Sequence, residues 1–448
     1  MPDKKFPKDF IWGTATASYQ IEGAWDEGGR GLSIWDTFSH TPGKTWNGHT
    51  GDNACDHYHR YKEDVRLIKD LGVDSYRFSI AWPRIFPEGR GKPNQKGIDF
   101  YNRLVDELLS FDIKPAITLY HWDLPQALED KNGWRNRDTA YRFSDFTDQM
   151  FRILDDRAGM WITLNEPLCS AFLGHLSGVH APGLKDMQAA YSTLHHLLLA
   201  HGLSLTNYRE NYNKKPAGIA LNIGTPGPAS PTSEDENAVD LYMDPNARMF
   251  LDPLYGKGYP DRFIDHLKIQ NIELPVKEDD LNIISSPIDF LGLNYYFELT
   301  VSADSNSPEG YIVKSTSIPK TDMGWDIVPE GILRQLKWVS REYNNPVIYI
   351  TENGAAFPDK MNKDGSVSPD PDRISYINEH LRFLKKALNA GINLKGYFLW
   401  SLMDNFEWAY GYNKRFGLVY CDFKSQKRIP KDSFYFYKNF IAESKLAK

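Results

Sequence analysis

Eight short and almost uninterrupted apolar runs recur along the chain, each followed by a stretch with helical periodicity. That alternation restricts the fold more than any other feature. The runs are FIWGTATAS (10–18), SYRFSIAW (75–82), KPAITLYHW (114–122), GMWITLNE (159–166), AGIALNI (217–223), DFLGLNYY (289–296), PVIYITEN (346–353) and LKGYFLWSL (394–402). Continuous apolarity is how parallel strands read when both of their faces are covered. Between them, YNRLVDELLS (101–110) sets Tyr101, Leu104, Val105 and Leu108 on one helical face, and ISYINEHLRFLKKAL (374–388) does the same with Ile374, Ile377, Leu381, Leu384 and Leu388. Eight strands in strict alternation with helices favour an α/β fold closed into a (β/α)8 TIM barrel over an open doubly wound sheet. At ~150 residues per domain the 448 residues would make about three domains, but α/β barrels run past that prior as one unit. The turn-rich segments 40–55, 224–237, 301–322 and 357–373 all follow strands and have no separate core beside them. They read as elaborated βα loops, so residues 1–448 are expected to form a single catalytic domain.

A barrel of this kind gathers the C-terminal ends of its strands into one ring, the face where active sites are built. Those ends carry Gln20 past the first run, Arg77 in the second, His121-Trp122, Asn165-Glu166, Asn222, Asn294 with Tyr296, Glu352-Asn353, and Trp400 followed by Glu407-Trp408. Taken singly, a strand-end Glu is usually a solvated carboxylate and a lone Trp is usually core. Polar groups and indoles at the same end of successive strands are not explained that way. WITLNEPLC (161–169) sharpens the point, because an apolar strand stops on a carboxamide and a carboxylate and is then blocked by Pro167. Proline lacks an N–H and biases the residue before it toward extended backbone, so Glu166 is expected to stand straight out of its strand.

Other chemistries find little support. A net charge of −7 and an isoelectric point near 6.0 argue against nucleic acid and acidic membranes as partners. No run approaches the ~18 apolar residues of a membrane helix. There is no phosphate-binding GxxxxGK[ST], no GxGxxG opening a helix and no HExxH, so neither cofactor nor metal is expected. His57 and His59, and His195, His196 and His201 in a Leu-rich helical run, lack acidic or Cys ligands at ligand spacing and read as structural or solvated. Cys55, Cys169 and Cys421 are odd in number and far apart, which points to buried free thiols in a reducing compartment. The first twenty residues hold no apolar h-region, and a cytoplasmic location is the expectation. Oligomeric state is left unassigned.

Two glutamates at separate strand ends, Glu166 and Glu352, suit glycosidic bond hydrolysis. One carboxyl group protonates the leaving oxygen while the other attacks the anomeric carbon or activates water. Their environments must differ, and Arg77 and Tyr296 would keep Glu352 ionised if they reach it. Spacing alone leaves open which glutamate takes which role. Gln20, His121, Asn165, Asn294 and Glu407 offer donors and acceptors to sugar hydroxyls. Trp122, Trp400 and Trp408 offer flat faces to the C–H side of a pyranose, in a chain whose aromatic content reaches 14%.

The motifs FIWGTATASYQIEG (10–23), YRFSIAWPRI (76–85), LYHWDLPQAL (119–128), TLNEP (163–167), GLNYY (292–296), ITENGAAF (350–357) and LWSLMDNFEWAYGYNKRFGLVYCD (399–422) together resemble glycoside hydrolase family one, the family of the bacterial β-glucosidases. The resemblance runs in order from about residue 6 to about residue 440. It implies a retaining mechanism with Glu166 as acid/base and Glu352 as nucleophile. It also implies that Gln20, His121, Asn165, Glu407 and Trp408 hold the glycone with Trp400 beneath it, that Asn294 and Tyr296 lie beside the nucleophile, and that Trp325 and Phe416 line the pocket. Many members carry Trp where this chain has Leu168, a position that in the family faces the aglycone. Relatives acting on 6-phosphorylated sugars differ after the eighth strand, where Glu407-Trp408 stands here and a carboxylate would repel phosphate. The expected activity is removal of terminal β-D-glucosyl residues from cello-oligosaccharides and from aryl or alkyl β-glucosides, with β-galactosidase and β-fucosidase side activity and a role in cellulose degradation. A 6-phospho-β-glucosidase and a non-catalytic sugar-binding barrel are the alternatives.

Overall fold

The computed structural model describes residues 5–446, and in it every apolar run contains a parallel strand. These are β1 (Ile11–Ala15), β2 (Ser75–Ser79), β3 (Lys114–Tyr120), β4 (Met160–Asn165), β5 (Ala217–Leu221), β6 (Phe290–Asn294), β7 (Ile348–Asn353) and β8 (Leu394–Trp400). Each pairs with its neighbours in the sequence, and β8 closes on β1. Most strands stop short of the apolar run that encodes them, because the chain turns at the C-terminal rim: Ser18 and Trp82 each begin a one-turn helix there.

Apolar residues continue through the strands because both faces are covered. One face packs on the surrounding helices, among them His57–Leu71, Gln95–Leu109, Asp138–Leu154, Met187–Asn211, Pro329–Glu342 and Pro371–Asn389. The helix over 95–109 buries Tyr101, Leu104, Val105 and Leu108. The helix over 371–389 buries Ile377, Leu381 and Leu384, with Ile374 and Leu388 half-buried at the ends of the stripe. Alternate strand residues, including Ala15, Ala116, Met160, Ile162, Ala220, Phe290 and Phe398, form a second, smaller core. The fifth connection departs from the one-helix pattern and holds several short helices. The segments 224–237 and 301–322 also contain more than turns, since Gly227–Pro228, Thr300–Ala303 and Tyr311–Lys314 pair as a three-stranded sheet.

Three features of the frame bear on the site. The barrel ladders are regular except where β4 meets β5, between Ile162 and Asn165, and along β7, between Ile350 and Glu352 toward β6 and between Ile350 and Asn353 toward β8, with a second shift near its start. A shift of this kind bends a strand and re-aims its side chains. Next, the loops after β7 and β8 are tied by buried charges. Asp404 accepts from Lys431 Nζ and Arg415 Nη1, each at 2.7 Å, while Asp359 and Asp370 share Arg373, and Lys431 also reaches Asp359. Last, the helix Asp432–Leu446 returns to the first strand, where Tyr437 Oη donates to Gly13 O at 3.0 Å. Near its end Lys445 Nζ reaches Gly72 O at 3.0 Å, just before β2 begins.

Candidate active site

Arg77 lies level with Ala15 in the ladder, which is in turn level with Trp400. Its side chain is 1% exposed, so each of its N–H groups needs a partner. Nη1 donates to Glu352 Oε1 at 2.5 Å and to Thr351 O at 2.9 Å, Nη2 to Asn165 Oδ1 at 2.6 Å, and Nε to Thr118 Oγ1 at 3.1 Å. One guanidinium on β2 therefore joins β3, β4 and β7. Glu352 Oε2 accepts from Tyr296 Oη at 2.5 Å. Asn294 Nδ2 donates to Asn165 Oδ1 at 3.0 Å and to Glu166 Oε1 at 2.7 Å, and its own Oδ1 accepts from Thr351 Oγ1 at 2.7 Å. The two glutamates belong to one hydrogen-bonded network built from five strands and the segments that follow two of them.

Glu166 does not stand extended. Its φ is +46°, in the left-handed region, and the strand ends at Asn165. The pre-proline bias is outweighed by fixed contacts on both sides: Glu166 N donates to Ala220 O and its carbonyl accepts from Cys169 N, each at 2.9 Å. The strand thus turns sharply on Glu166 and aims its carboxyl at Asn294. After β7, Gly354 passes so close to the Trp400 carbonyl that an added Cβ would overlap it, which draws the ends of β7 and β8 together.

The electrostatics separate the two carboxyl groups. Burial, then the charge of Glu352, pushes Glu166 up to about 7 against hydrogen bonds from Asn294 and Cys169. Burial also raises Glu352, but Arg77 and Tyr296 oppose it directly. Of the two, Glu352 is the one whose partners favour its ionised form, while burial beside it favours the protonated form of Glu166. His121 is held neutral, pushed well down by burial and by Arg77, and its Nε2 lies 3.1 Å from Asn165 Nδ2.

A third carboxyl group lines the same pocket. Gln20 Nε2 donates to Phe406 O at 2.8 Å, to Asn405 Oδ1 at 3.1 Å and to Glu407 Oε2 at 3.4 Å. Burial, then the charges of Glu352 and Glu166, pushes Glu407 up to about 8. Burial thus favours the protonated form of this carboxyl group. Gln20 Oε1 and His121 Nδ1 are buried without a protein partner among the described residues.

Aromatic rings form two walls. Trp408 lies 4.5 Å from Trp122 and 4.6 Å from Trp35, and His121 lies over Trp400 at 5.8 Å with the planes 23° apart. Trp122 Nε1 is anchored on Asn165 O at 2.9 Å. Trp35 is brought in by the helix Ile34–His40, whose start is fixed by a reciprocal cap between Ser33 and Asp36. The other wall joins Tyr296 to Trp325 at 5.5 Å, with Phe416 6.1 Å from both. Leu168 stands half-buried just before the turn Cys169–Leu173 and takes no part in the polar network.

Sequence reasoning overlooked three contributors. Thr351 orients Asn294, Asn405 takes Gln20, and Cys169, held by the strand-end Asn222, stands behind Glu166. Only Cys169 left a trace, three residues after Glu166 on a helical turn. The five histidines named above each have a partner: His57 bonds Asp64, His59 bonds Asp56 and Glu27, His195 bonds Asp280 and Tyr259, His196 bonds Trp134 O and His201 bonds Thr163.

Comparison with known proteins places this geometry. A family model described as glycosyl hydrolase family 1 matches residues 2–446. A curated relative from Acetivibrio thermocellus named beta-glucosidase A is 51% identical over 97% of this chain and 98% of its own. A bifunctional beta-D-glucosidase/beta-D-fucosidase from Bifidobacterium breve is 46% identical over 98% of each chain. The solved structure of a family 1 b-glucosidase from Thermotoga maritima superposes with a TM-score of 0.94 at 51% identity, covering 98% of this chain and 99% of that one.

Proposed function

The chain belongs to glycosyl hydrolase family 1, and from that premise we propose that it is a retaining β-glucosidase in which Glu352 is the nucleophile and Glu166 the acid/base. The observation that carries the assignment is the unequal support of the two carboxyl groups. Arg77 and Tyr296 stabilise a charge on Glu352, whereas burial beside that charge keeps a proton on Glu166. In the first step a Glu352 oxygen attacks the anomeric carbon, the bond to the leaving oxygen breaks, and Glu166 gives that oxygen its proton. In the second, ionised Glu166 takes a proton from water while the water oxygen attacks the same carbon and releases Glu352. Two inversions retain the β configuration. Asn294 bonds Glu166 and Asn165, and Asn165 in turn shares Arg77 with Glu352; this close linkage favours the retaining separation of about 5–5.5 Å over the inverting ~6.5–9.5 Å.

Gln20, His121, Asn165, Glu407 and Trp408 hold the glycone, with Trp400 beneath it. Trp122, Asn294, Trp325 and Phe416 complete the pocket, and Leu168 borders the aglycone. Relatives acting on 6-phosphorylated sugars differ after the eighth strand, where this chain presents the buried pair Glu407-Trp408. The glycone is therefore an unphosphorylated β-glucosyl unit of an aryl glucoside or cello-oligosaccharide, in keeping with cellulose degradation. The name of the Bifidobacterium breve relative supports side activity on β-fucosides, and we extend it to β-galactosides. Residues 1–448 act as one catalytic domain, and three free buried thiols favour a reducing, cytoplasmic setting.

Azide separates the two roles. Glu352→Gly opens the α face of the bound sugar, and azide there yields an α-glucosyl azide. Glu166→Ala forms the covalent intermediate from an aryl glucoside with a good leaving group, and azide attacking it yields the β-azide. The anomeric proton coupling reads the outcome. The reverse pairing of variant and product would overturn the assignment.

A further inference from the structure

Glu166 is held through both oxygens, and the second hold comes from residues with no part in the steps above. Oε1 accepts from Asn294 on β6, while Oε2 lies 3.1 Å from Cys169 Sγ. The sulfur is itself engaged, because Asn222 Nδ2, one residue past β5, donates to it at 3.3 Å. A thiol that accepts from Asn222 has its single proton free for Glu166 Oε2. Cys169 is 6% exposed and opens a single π-helical turn, a distortion that recurs at functional sites. The carboxyl group is thus gripped from both of the strands that follow its own around the barrel.

We propose that Cys169, oriented by Asn222, is a positioning residue for Glu166: its S–H holds Oε2 and favours the ionised carboxylate that must form for the second half-reaction. The inference rests on the reading of Glu166 as acid/base. The charged and titratable groups that act on Glu166 are Glu352, Glu407, Arg77, Tyr296 and Cys169. Burial and the charge of Glu352 drive its proton affinity up, and the bonds from Asn294 and Cys169 draw it back. The thiol stays a donor, since burial and then the charge of Glu166 push its own ionisation well up. A carboxyl group that must give a proton in one step and take one in the next works best poised near the operating pH. Cys169 is one of the groups that keep Glu166 from drifting above it.

The test is the pH dependence of kcat/KM on phenyl β-glucoside, whose poor leaving group needs the acid. A thiol hydrogen bond is weaker than the usual ~1 kcal/mol, so Cys169→Ala should move the basic limb upward by about half a pH unit. Cys169→Ser keeps a donor and should leave the limb at or below its wild-type position. Asn222→Ala should move it upward by less, and should add nothing in a chain already carrying Cys169→Ala. Loss of activity at all pH values with the limb unmoved would mean that Cys169 merely packs, and a downward shift in Cys169→Ala would also overturn the proposal. Should Cys169→Ala fail to fold, Asn222→Ala and Cys169→Ser carry the same comparison. Glu166→Ala is the control for the underlying reading. If it retains full activity on phenyl glucoside, the acid/base assignment fails; if it behaves as an acid/base variant while the Cys169→Ala limb stays in place, only this inference fails.

Discussion

Glu166 takes a backbone conformation that the proline after it disfavours. A non-glycine residue at φ +46° is strained, and such strain persists where surrounding contacts over-determine it. The residue types at the site were legible because chemistry resides in side chains and TLNEP and ITENG display theirs. The turn at Glu166 was not, because the bond from its N–H to Ala220 O depends on β5, some fifty residues onward. Cys169, read only as a buried thiol, escaped for the same reason, since Asn222, visible at its own strand end, meets it only in the closed barrel. The strain has a measurable sign. Glu166→Ala keeps the unfavourable φ whereas Glu166→Gly releases it, and the glycine variant should be the more stable by about 1 kcal/mol in urea unfolding. Equal or reversed stabilities would mean that the turn costs nothing.

At the level of elements, the strands were legible because burial on both faces leaves an unbroken apolar run. The small sheet of Gly227–Pro228, Thr300–Ala303 and Tyr311–Lys314 was not, since its strands are largely exposed or half-exposed and too short to set up a pattern. Nor does any local pattern announce the charge clamp on the loops after β7 and β8. Asp359, Asp370 and Asp404 face Arg373, Arg415 and Lys431, three charges of each sign with little access to water. The clamp holds the base of the loop that presents Glu407 and Phe416. Asp404→Asn leaves one positive charge uncompensated and should cost about 3–5 kcal/mol of stability. Adding Lys431→Met restores the balance and should recover most of that loss in the same unfolding assay. A double variant no more stable than the single one would show that the contacts of Lys431 outweigh charge balance.

Across the whole molecule, buried acids set the pH at which the fold is strongest. Glu166 and Asp123 are raised to about 7 and Glu407 to about 8, in each case chiefly by burial. Their unfolded values lie near 4, so between pH ~4 and ~7 the native state holds protons that the unfolded chain has lost, and stability falls as pH rises through 7 and 8. On the acid side burial also works against ionised Asp64 and Asp404, but His57 and Arg428 for the first, and Lys431 and Arg415 for the second, hold both below the usual range. The stability they bring is present above their unfolded values and is lost as pH falls below ~4. His175, His196 and His380 are pushed down to about 4 and His180 and His201 to about 3, each chiefly by burial, so they add stability as pH rises from ~4 toward the ordinary histidine value of ~6.5. Thermal stability should therefore peak at about pH 6–7, and Glu407→Gln should flatten the decline toward pH 8. A peak at or above pH 8 in wild type would contradict this. The return of the last helix to the first strand has a different kind of consequence. Tyr437 on Gly13 and Lys445 beside Gly72 and Asp74 bring the described ends of the chain together at the N-terminal rim, the side of the barrel away from Glu166 and Glu352. A bead, a surface or a fused partner tethered at either end would face away from the mouth, leaving it open to sugars that are themselves attached to something large.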